Sequence, residues 1–287
     1  MGEPTTSGLA ALAERYDVFI FDLWGVMHNG IAAYPEALEC LRQVRARGGS
    51  AALLSNAPRP GPVIREEMAR LGIHPDAYDA LLTSGDAAIA AYRSDPRTSG
   101  RPCYHLGPAR NQATVDGCGA EERPLGEAET ILCTGLFDDE TETADDYAEQ
   151  LEDAVRRGVV MVCANPDVVV MRGERMIPCA GALAEVYEGL GGTALRFGKP
   201  YPDAYDMLLD RLPATPRQRV VMIGDGFPTD IRGAKAAGID AVFIASGIHA
   251  EEIGLDEGGS YDAGALRALA SRYGVAEPVA TMPHLRW

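Results

Sequence analysis

The run Asp17-Val18-Phe19-Ile20-Phe21-Asp22-Leu23-Trp24-Gly25 decides the fold. After Asp17, residues 18–21 are β-branched and aromatic with no polar alternation, and the run 17–21 reads as a short strand buried on both faces. Asp22 closes that strand. A carboxylate there is costly unless it is solvated, hydrogen-bonded or bound to a metal; a capping Asp in a turn is the plain alternative. Outward from this run, Tyr34–Gly48 reads as a helix, with Pro35 in its first turn and Gly48-Gly49 at its end. Ala51–Leu54 is a second strand, Arg65–Leu71 a helix stopped by Gly72, and Ala80–Leu82 a third strand. This β-α-β-α-β rhythm predicts a parallel sheet with right-handed crossovers.

The rhythm returns near the C-terminus. Tyr201–Leu212 is a helix, Val220–Ile223 a strand, Thr229–Ala237 a helix stopped by Gly238, and Ala241–Ile244 a strand. Between the two halves the pattern is less regular. Residues 94–125 are rich in Pro, Gly, Arg and Asp, with one strand-like run, Cys103–Leu106. Thr130–Thr134 (strand), Asp145–Arg157 (helix), Val159–Cys163 (strand), Val168–Met171 (strand) and Gly181–Leu190 (helix) follow. Residues 1–82 and 192–287 are therefore expected to form a core, and 83–191 an inserted domain. The chain shows no internal repeat and no low-complexity tract.

A length of 287 residues suits about two domains or one large α/β domain with an insertion. Hydrophobic residues make up 46% and charged residues 24%, ordinary for a globular protein with a sizeable core. The net charge of −16 argues against nucleic acid and anionic membrane surfaces as partners. It also opposes phosphate esters, so a phosphate site would need a local cation or clustered backbone donors. The six cysteines form no CxxC pair and have no histidine at zinc-ligand spacing; they read as buried small hydrophobes in a reducing compartment. Residues 1–16 lack the apolar core of a signal peptide. Met1-Gly2 with Thr6 matches a loose myristoylation pattern, read as coincidence because Glu3-Pro4 follow without polybasic support. No apolar run reaches membrane-spanning length. A cytoplasmic protein is expected.

Five features stand at the predicted C-terminal ends of strands, where open α/β sheets bind ligands. Asp22 is the first. Ser55-Asn56 can donate to a phosphate oxygen, or cap a helix or make an Asx-turn. Lys199, between Gly198 and Pro200, can neutralise phosphate charge, or be a surface lysine in a loop. Asp225, within Gly224-Asp225-Gly226, and Asp230, after Thr229, put two carboxylates five residues apart, a natural site for a hard cation. A dinucleotide-binding loop is disfavoured because the GxGxxG spacing is missing.

In this order the features resemble the haloacid dehalogenase superfamily. Asp22-Leu23-Trp24-Gly25-Val26 looks like its first motif, Ser55 its second, Lys199 its third, and Asp225-Gly226-Phe227-Pro228-Thr229-Asp230 its fourth. The insertion, with Thr83-Ser84-Gly85, Asn165-Pro166-Asp167 and Pro178–Leu183, is similar to the α/β cap (C2 type) of the NagD-like subgroup, class IIA. The resemblance implies a Rossmann-like, doubly wound parallel sheet with a cap that selects substrate. It implies a Mg²⁺-dependent phosphatase of a small phosphorylated metabolite (a sugar phosphate, nucleotide or similar), with a homodimer as one expected assembly. Asp22 would be the nucleophile; Asp22, the Trp24 carbonyl, Asp225 and Asp230 would hold the metal; Lys199 would offset charge; and Ser55, with Asn56, would bind phosphate. Asn165, Asp167 and Arg172 are cap candidates for substrate contact. One position departs from the pattern. The family's usual acid–base Asp is here Trp24, and general acid–base help is worth about 10²–10⁴ in rate. His28 is the candidate substitute, because an unperturbed imidazole titrates near pH 6.5; packing within the loop is its other reading. The alternatives are a substrate that needs no acid, or a phosphate-binding protein of low turnover.

Overall fold

The computed structural model describes residues 8–172 and 175–287. The loose acylation match at Met1-Gly2 and Thr6 lies outside them. In chain order the elements are β1 (Val18–Phe21), α1 (Pro35–Ala46), β2 (Ser50–Ser55), α2 (Gly61–Arg70), β3 (Ala80–Thr83), α3 (Ser84–Ser94), β4 (Cys103–Leu106), α4 (Gln112–Cys118), β5 (Thr130–Cys133) and α5 (Ala148–Arg156). They continue with β6 (Val160–Cys163), β7 (Val169–Arg172), β8 (Arg175–Pro178), α6 (Ala180–Gly189), β9 (Thr193–Arg196), α7 (Pro202–Leu209) and β10 (Val220–Gly224). The last are α8 (Arg232–Ala236), β11 (Asp240–Ile244), α9 (Ala263–Arg272) and β12 (Ala280–Met282).

The chain divides into two compact units. The first comprises Met1–Ser55, Arg65–Leu81 and Lys199–Trp287; the second comprises Asn56–Ile64 and Leu82–Gly198. A six-stranded sheet has the order β12-β11-β10-β1-β2-β3. Strand β1 lies inside it, parallel to β10 on one side and β2 on the other, with every residue buried. That position explains its unbroken apolar run, since a strand covered on both faces has no solvent side for polar residues. From β1 the chain builds β2 and β3 to one side and, much later, β10, β11 and β12 to the other. The sheet's topological switch point thus falls between β1 and β10, where open α/β sheets hold their ligands.

The second unit has its own parallel sheet, β4-β5-β6-β9, and an antiparallel pair, β7 with β8. Residues alternate across the parallel sheet as the pleat requires. Ile131, Cys133, Met161 and Cys163 pack with Leu151 and Ala154 of α5 and Leu183 and Ala184 of α6. Leu132 and Val162 pack with Ala88 and Tyr92 of α3 and Val115 and Cys118 of α4. Helix α3 starts at a reciprocal cap: Asp86 N–H donates to Thr83 Oγ1 at 3.0 Å, and Thr83 N–H donates to Asp86 Oδ2 at 3.3 Å.

The observed elements and units differ from the expectations at four points. Residues 192–198, assigned to the core, belong to the second unit, because β9 pairs with β6 (Val160↔Thr193 to Cys163↔Arg196). Residues 56–64 also group with the second unit. The irregular stretch 94–125 contains α4, whose buried face is only Thr114, Val115 and Cys118, too brief to leave a visible period. The expected helix Thr229–Ala237 is a π-turn, Phe227–Ile231, running into the short α8. All six cysteines are buried and unpaired. No helix among the described residues is long and apolar enough to cross a membrane.

Candidate active site

Two carboxylates leave the first unit's sheet side by side. Phe21 pairs with Ile223, and Asp22 N–H donates to Ile223 O at 2.9 Å, so Asp22 emerges level with the end of β10. Asp225 follows β10 directly. Asp230 is returned to the same place by the π-turn, a feature found often at functional sites; its N–H donates to Gly226 O at 2.8 Å and its Oδ2 accepts Gly226 N–H at 3.0 Å. Asp22, Asp225 and Asp230 each offer an oxygen within 4.8 Å of the other two.

Lys199 reaches this cluster fully buried, 2% exposed, and donates to Asp22 Oδ1 at 2.5 Å and Asp230 Oδ1 at 2.7 Å. It follows β9, a strand of the second unit's sheet, rather than a strand of the core sheet as the sequence suggested. Three carboxylates against one ammonium leave an excess of negative charge. Asp225 registers it: burial first, then the charges of Asp22 and Asp230, push its carboxyl well above the ordinary carboxylate range, with Lys199 pulling the other way. Burial and the neighbouring carboxylates both disfavour its charged form. Three carboxylate oxygens this close together form an all-oxygen donor set that fits a hard divalent cation. Asp230 already accepts from Lys199 on one oxygen and from Gly226 on the other, which suits it to orienting the lysine.

The loop after β1 is tightly made. Met27 and His28 N–H both donate to Leu23 O, at 2.9 and 3.1 Å, and Gly25 N–H donates to His28 O at 3.0 Å. Gly25 has φ +76°, and a Cβ there would lie 2.2 Å from Asp225 Oδ2, so only glycine fits. The half-buried Trp24 ring lies edge-on to His28, centroids 5.0 Å apart, and over Gly30, whose Cβ position is 2.5 Å from the ring. His28 Nδ1 accepts Gly30 N–H at 2.9 Å, which leaves the proton on Nε2, and burial holds the imidazole down at about 4. The ring is thus held by the Gly30 N–H and the Trp24 edge, while its Nε2 is buried without a hydrogen-bond partner.

Ser55 ends β2, buried, two residues beyond Leu53, the partner of Phe21. Asn56 belongs to the second unit, and its side-chain amide donates to Asp167 Oδ1 at 2.7 Å. Asn165 Oδ1 accepts Asp167 N–H at 3.0 Å, and Asp167 O accepts Gly181 N–H at 3.0 Å. Asn56, Asn165 and Asp167 thus form one network holding backbone. Arg172 is paired with Asp139 at 2.8 Å. The structure gathers Asp22, Lys199, Asp225 and Asp230 within the first unit; Asn165, Asp167 and Arg172 belong to the second.

Several residues escaped the reading of the sequence. Gly247 faces Asp225 so closely that a Cβ would lie 1.9 Å from Oδ2, and Ile248 N–H donates to that oxygen at 3.3 Å. Tyr205, fully buried, donates to Asp230 O at 3.3 Å; burial, then the charges of Asp230 and Asp22, raise its phenol well above the ordinary value. The Ser246-Gly247 pair after β11 was the only signal available for the former.

Comparison with known proteins bears on this geometry. A haloacid dehalogenase-like hydrolase family model matches residues 19–121, and a second HAD-hydrolase-like model matches 196–269. A crystal structure of a haloacid dehalogenase-like hydrolase from Brucella suis 1330 superposes with a TM-score of 0.83 at 37% identity, covering 99% of this chain and 100% of the other. A 4-nitrophenylphosphatase from Thermotoga maritima shares the fold, with a TM-score of 0.70, 19% identity and coverage of 95% and 96%. An acid sugar phosphatase from Staphylococcus haemolyticus is 25% identical over 237 residues, 82% of this chain and 87% of the relative.

Proposed function

We propose that this chain, which belongs to the haloacid dehalogenase-like hydrolases, is a Mg²⁺-dependent phosphatase of a small phosphorylated metabolite with Asp22 as its nucleophile. The observation that carries this reading is the buried Lys199 bridging Asp22 and Asp230, with Asp225 in the same cluster at the sheet's switch point. Resemblance to an acid sugar phosphatase and a 4-nitrophenylphosphatase supports the reaction class.

In the proposed reaction an Asp22 carboxylate oxygen attacks phosphorus and the ester P–O bond breaks. The leaving oxygen takes its proton from solvent. Water then attacks phosphorus, the bond to Asp22 breaks, and inorganic phosphate leaves; one hard step becomes two easier ones. Lys199 holds Asp22 in place and offsets its charge as the anionic phosphate approaches, and Asp230 keeps Lys199 aimed. Ser55 donates its hydroxyl to a phosphate oxygen; Asn56, engaged with Asp167, is assigned to support of the second unit. Asp22, the Trp24 carbonyl and Asp225, with Asp230 behind them, would hold Mg²⁺, which neutralises developing oxygen charge when bound. The second unit, including the expected insertion 83–191, is assigned the choice of substrate.

Trp24 favours a second reading, a phosphate-ligand-binding protein of low turnover, because the indole can neither donate a proton to the leaving oxygen nor take one from water. The test is phosphate release from 4-nitrophenyl phosphate and a panel of phosphorylated metabolites with Mg²⁺, using Asp22→Asn as control. Release lost in Asp22→Asn supports the phosphatase. Undiminished release in that variant removes Asp22 as nucleophile. Mg²⁺-dependent binding without release across the panel selects the second reading.

A further inference from the structure

The segment after β11 holds the metal-binding loop at two points that none of the sequence motifs covers. At the first, Gly247 lies against Asp225 and Ile248 N–H donates to its carboxylate. At the second, Phe227 N–H, between Asp225 and Asp230, donates to His249 Nε2 at 3.2 Å. His249 is 6% exposed, and its ring stacks edge-on against Phe227 and Tyr273, at centroid distances of 5.7 and 6.2 Å. Its other nitrogen, Nδ1, lies 3.1 Å from Glu252 Oε2, and Glu252 pairs with Arg272 of α9. The tautomer follows from the partners: an acceptor is needed at Nε2 because a backbone N–H points at it, so the proton sits on Nδ1 and is donated to the Glu252 carboxylate. Arg272 and Glu252 thus set the ring, and the ring sets the Phe227 peptide.

We propose that His249 is a positioning residue that fixes the 225–230 loop in its cation-binding geometry through the Phe227 N–H. The inference rests on the cation reading above. Without the acceptor, a buried N–H loses its partner and the turn that presents Asp225 and Asp230 together can rearrange. Supporting shells of this kind typically change metal affinity about 10–100-fold.

The experiment is calorimetric titration of Mg²⁺ into the EDTA-treated protein, paired with the Mg²⁺ dependence of phosphate release. His249→Leu keeps apolar volume and removes the acceptor; about a tenfold or greater loss of Mg²⁺ affinity is expected, with kcat recovered at saturating Mg²⁺. His249→Gln carries an amide oxygen at the reach of Nε2 and is expected to stay within about threefold of wild type. Folded His249→Leu with wild-type affinity, or His249→Gln impaired as much as His249→Leu, overturns the proposal. If His249→Leu does not fold, Glu252→Ala decides: releasing the ring's tautomer is expected to weaken Mg²⁺ measurably, and unchanged affinity overturns the positioning role. Wild-type protein that binds no Mg²⁺ overturns the cation reading and this role with it, whereas Mg²⁺ binding by wild type with an unimpaired His249→Leu overturns this role alone.

Discussion

At the scale of single residues, the proposed chemistry turns on what stands two positions after Asp22. Trp24 would contribute a backbone carbonyl as well as any residue, but its ring is packed on His28 and Gly30 and has no proton to trade. Trp24→Asp is therefore expected to raise turnover of alkyl phosphates, whose leaving groups need an acid, by more than it raises turnover of 4-nitrophenyl phosphate. The full range open to acid–base help is about 10²–10⁴; equal change on both substrates would count against that account. His28 was legible as a candidate only because an imidazole in a loop suggests acid–base work. Burial, invisible in the sequence, lowers its pKa and sets that role against one in packing. His28→Ala is expected to reduce alkyl and aryl phosphate turnover in parallel and to destabilise the fold by roughly 1–3 kcal/mol, measured by paired kinetics and thermal melts. A selective loss on alkyl substrates would favour the catalytic role.

At the scale of elements, the site is a matter of two loops kept close by glycines. The loops after β1 and β11 both press on Asp225, and both do so at positions where a side chain cannot fit. Gly247→Ala is expected to lower Mg²⁺ affinity by about tenfold or more while leaving the far-ultraviolet circular dichroism unchanged. Retained affinity would show that the loop yields without disturbing Asp225. The motif residues Asp22, Lys199, Asp225 and Asp230 were legible because their types and order are constrained by charge. Gly247 and His249 were not, because their role depends on which loop β11 lays beside Asp225. The strand β9 was missed for a related reason. Thr193 is exposed and the other three are only partly buried, so they carry little of the apolar signal that betrays a buried strand.

At the scale of the whole molecule, buried histidines couple stability to pH. His28, His105 and His249 all titrate below their ordinary value, chiefly through burial. The sign follows from linkage: the unfolded chain takes up these protons near pH 6.5 and the folded chain does not. Their stabilisation is therefore present above pH 6.5 and lost as pH falls toward the lower folded values. His105, in the second unit and bonded to Thr134 Oγ1 at 2.8 Å, lies apart from the proposed metal ligands in sequence and offers a clean probe. The Tm advantage of wild type over His105→Asn is expected to shrink between pH 7 and pH 5; a constant difference would rule out this contribution.

The apolar run before Asp22, the alternating β and α pattern and the types of the four charged residues were readable in the chain alone, because burial on both faces and the need to balance charge each restrict composition locally. The unit boundaries, the place of Lys199 after a strand of another sheet, the burial of His28 and the hold of the loop after β11 on Asp225 were decided only by tertiary structure. Each of these depends on strand pairing or on desolvation by residues distant in sequence, and neither leaves a mark on the local order of amino acids.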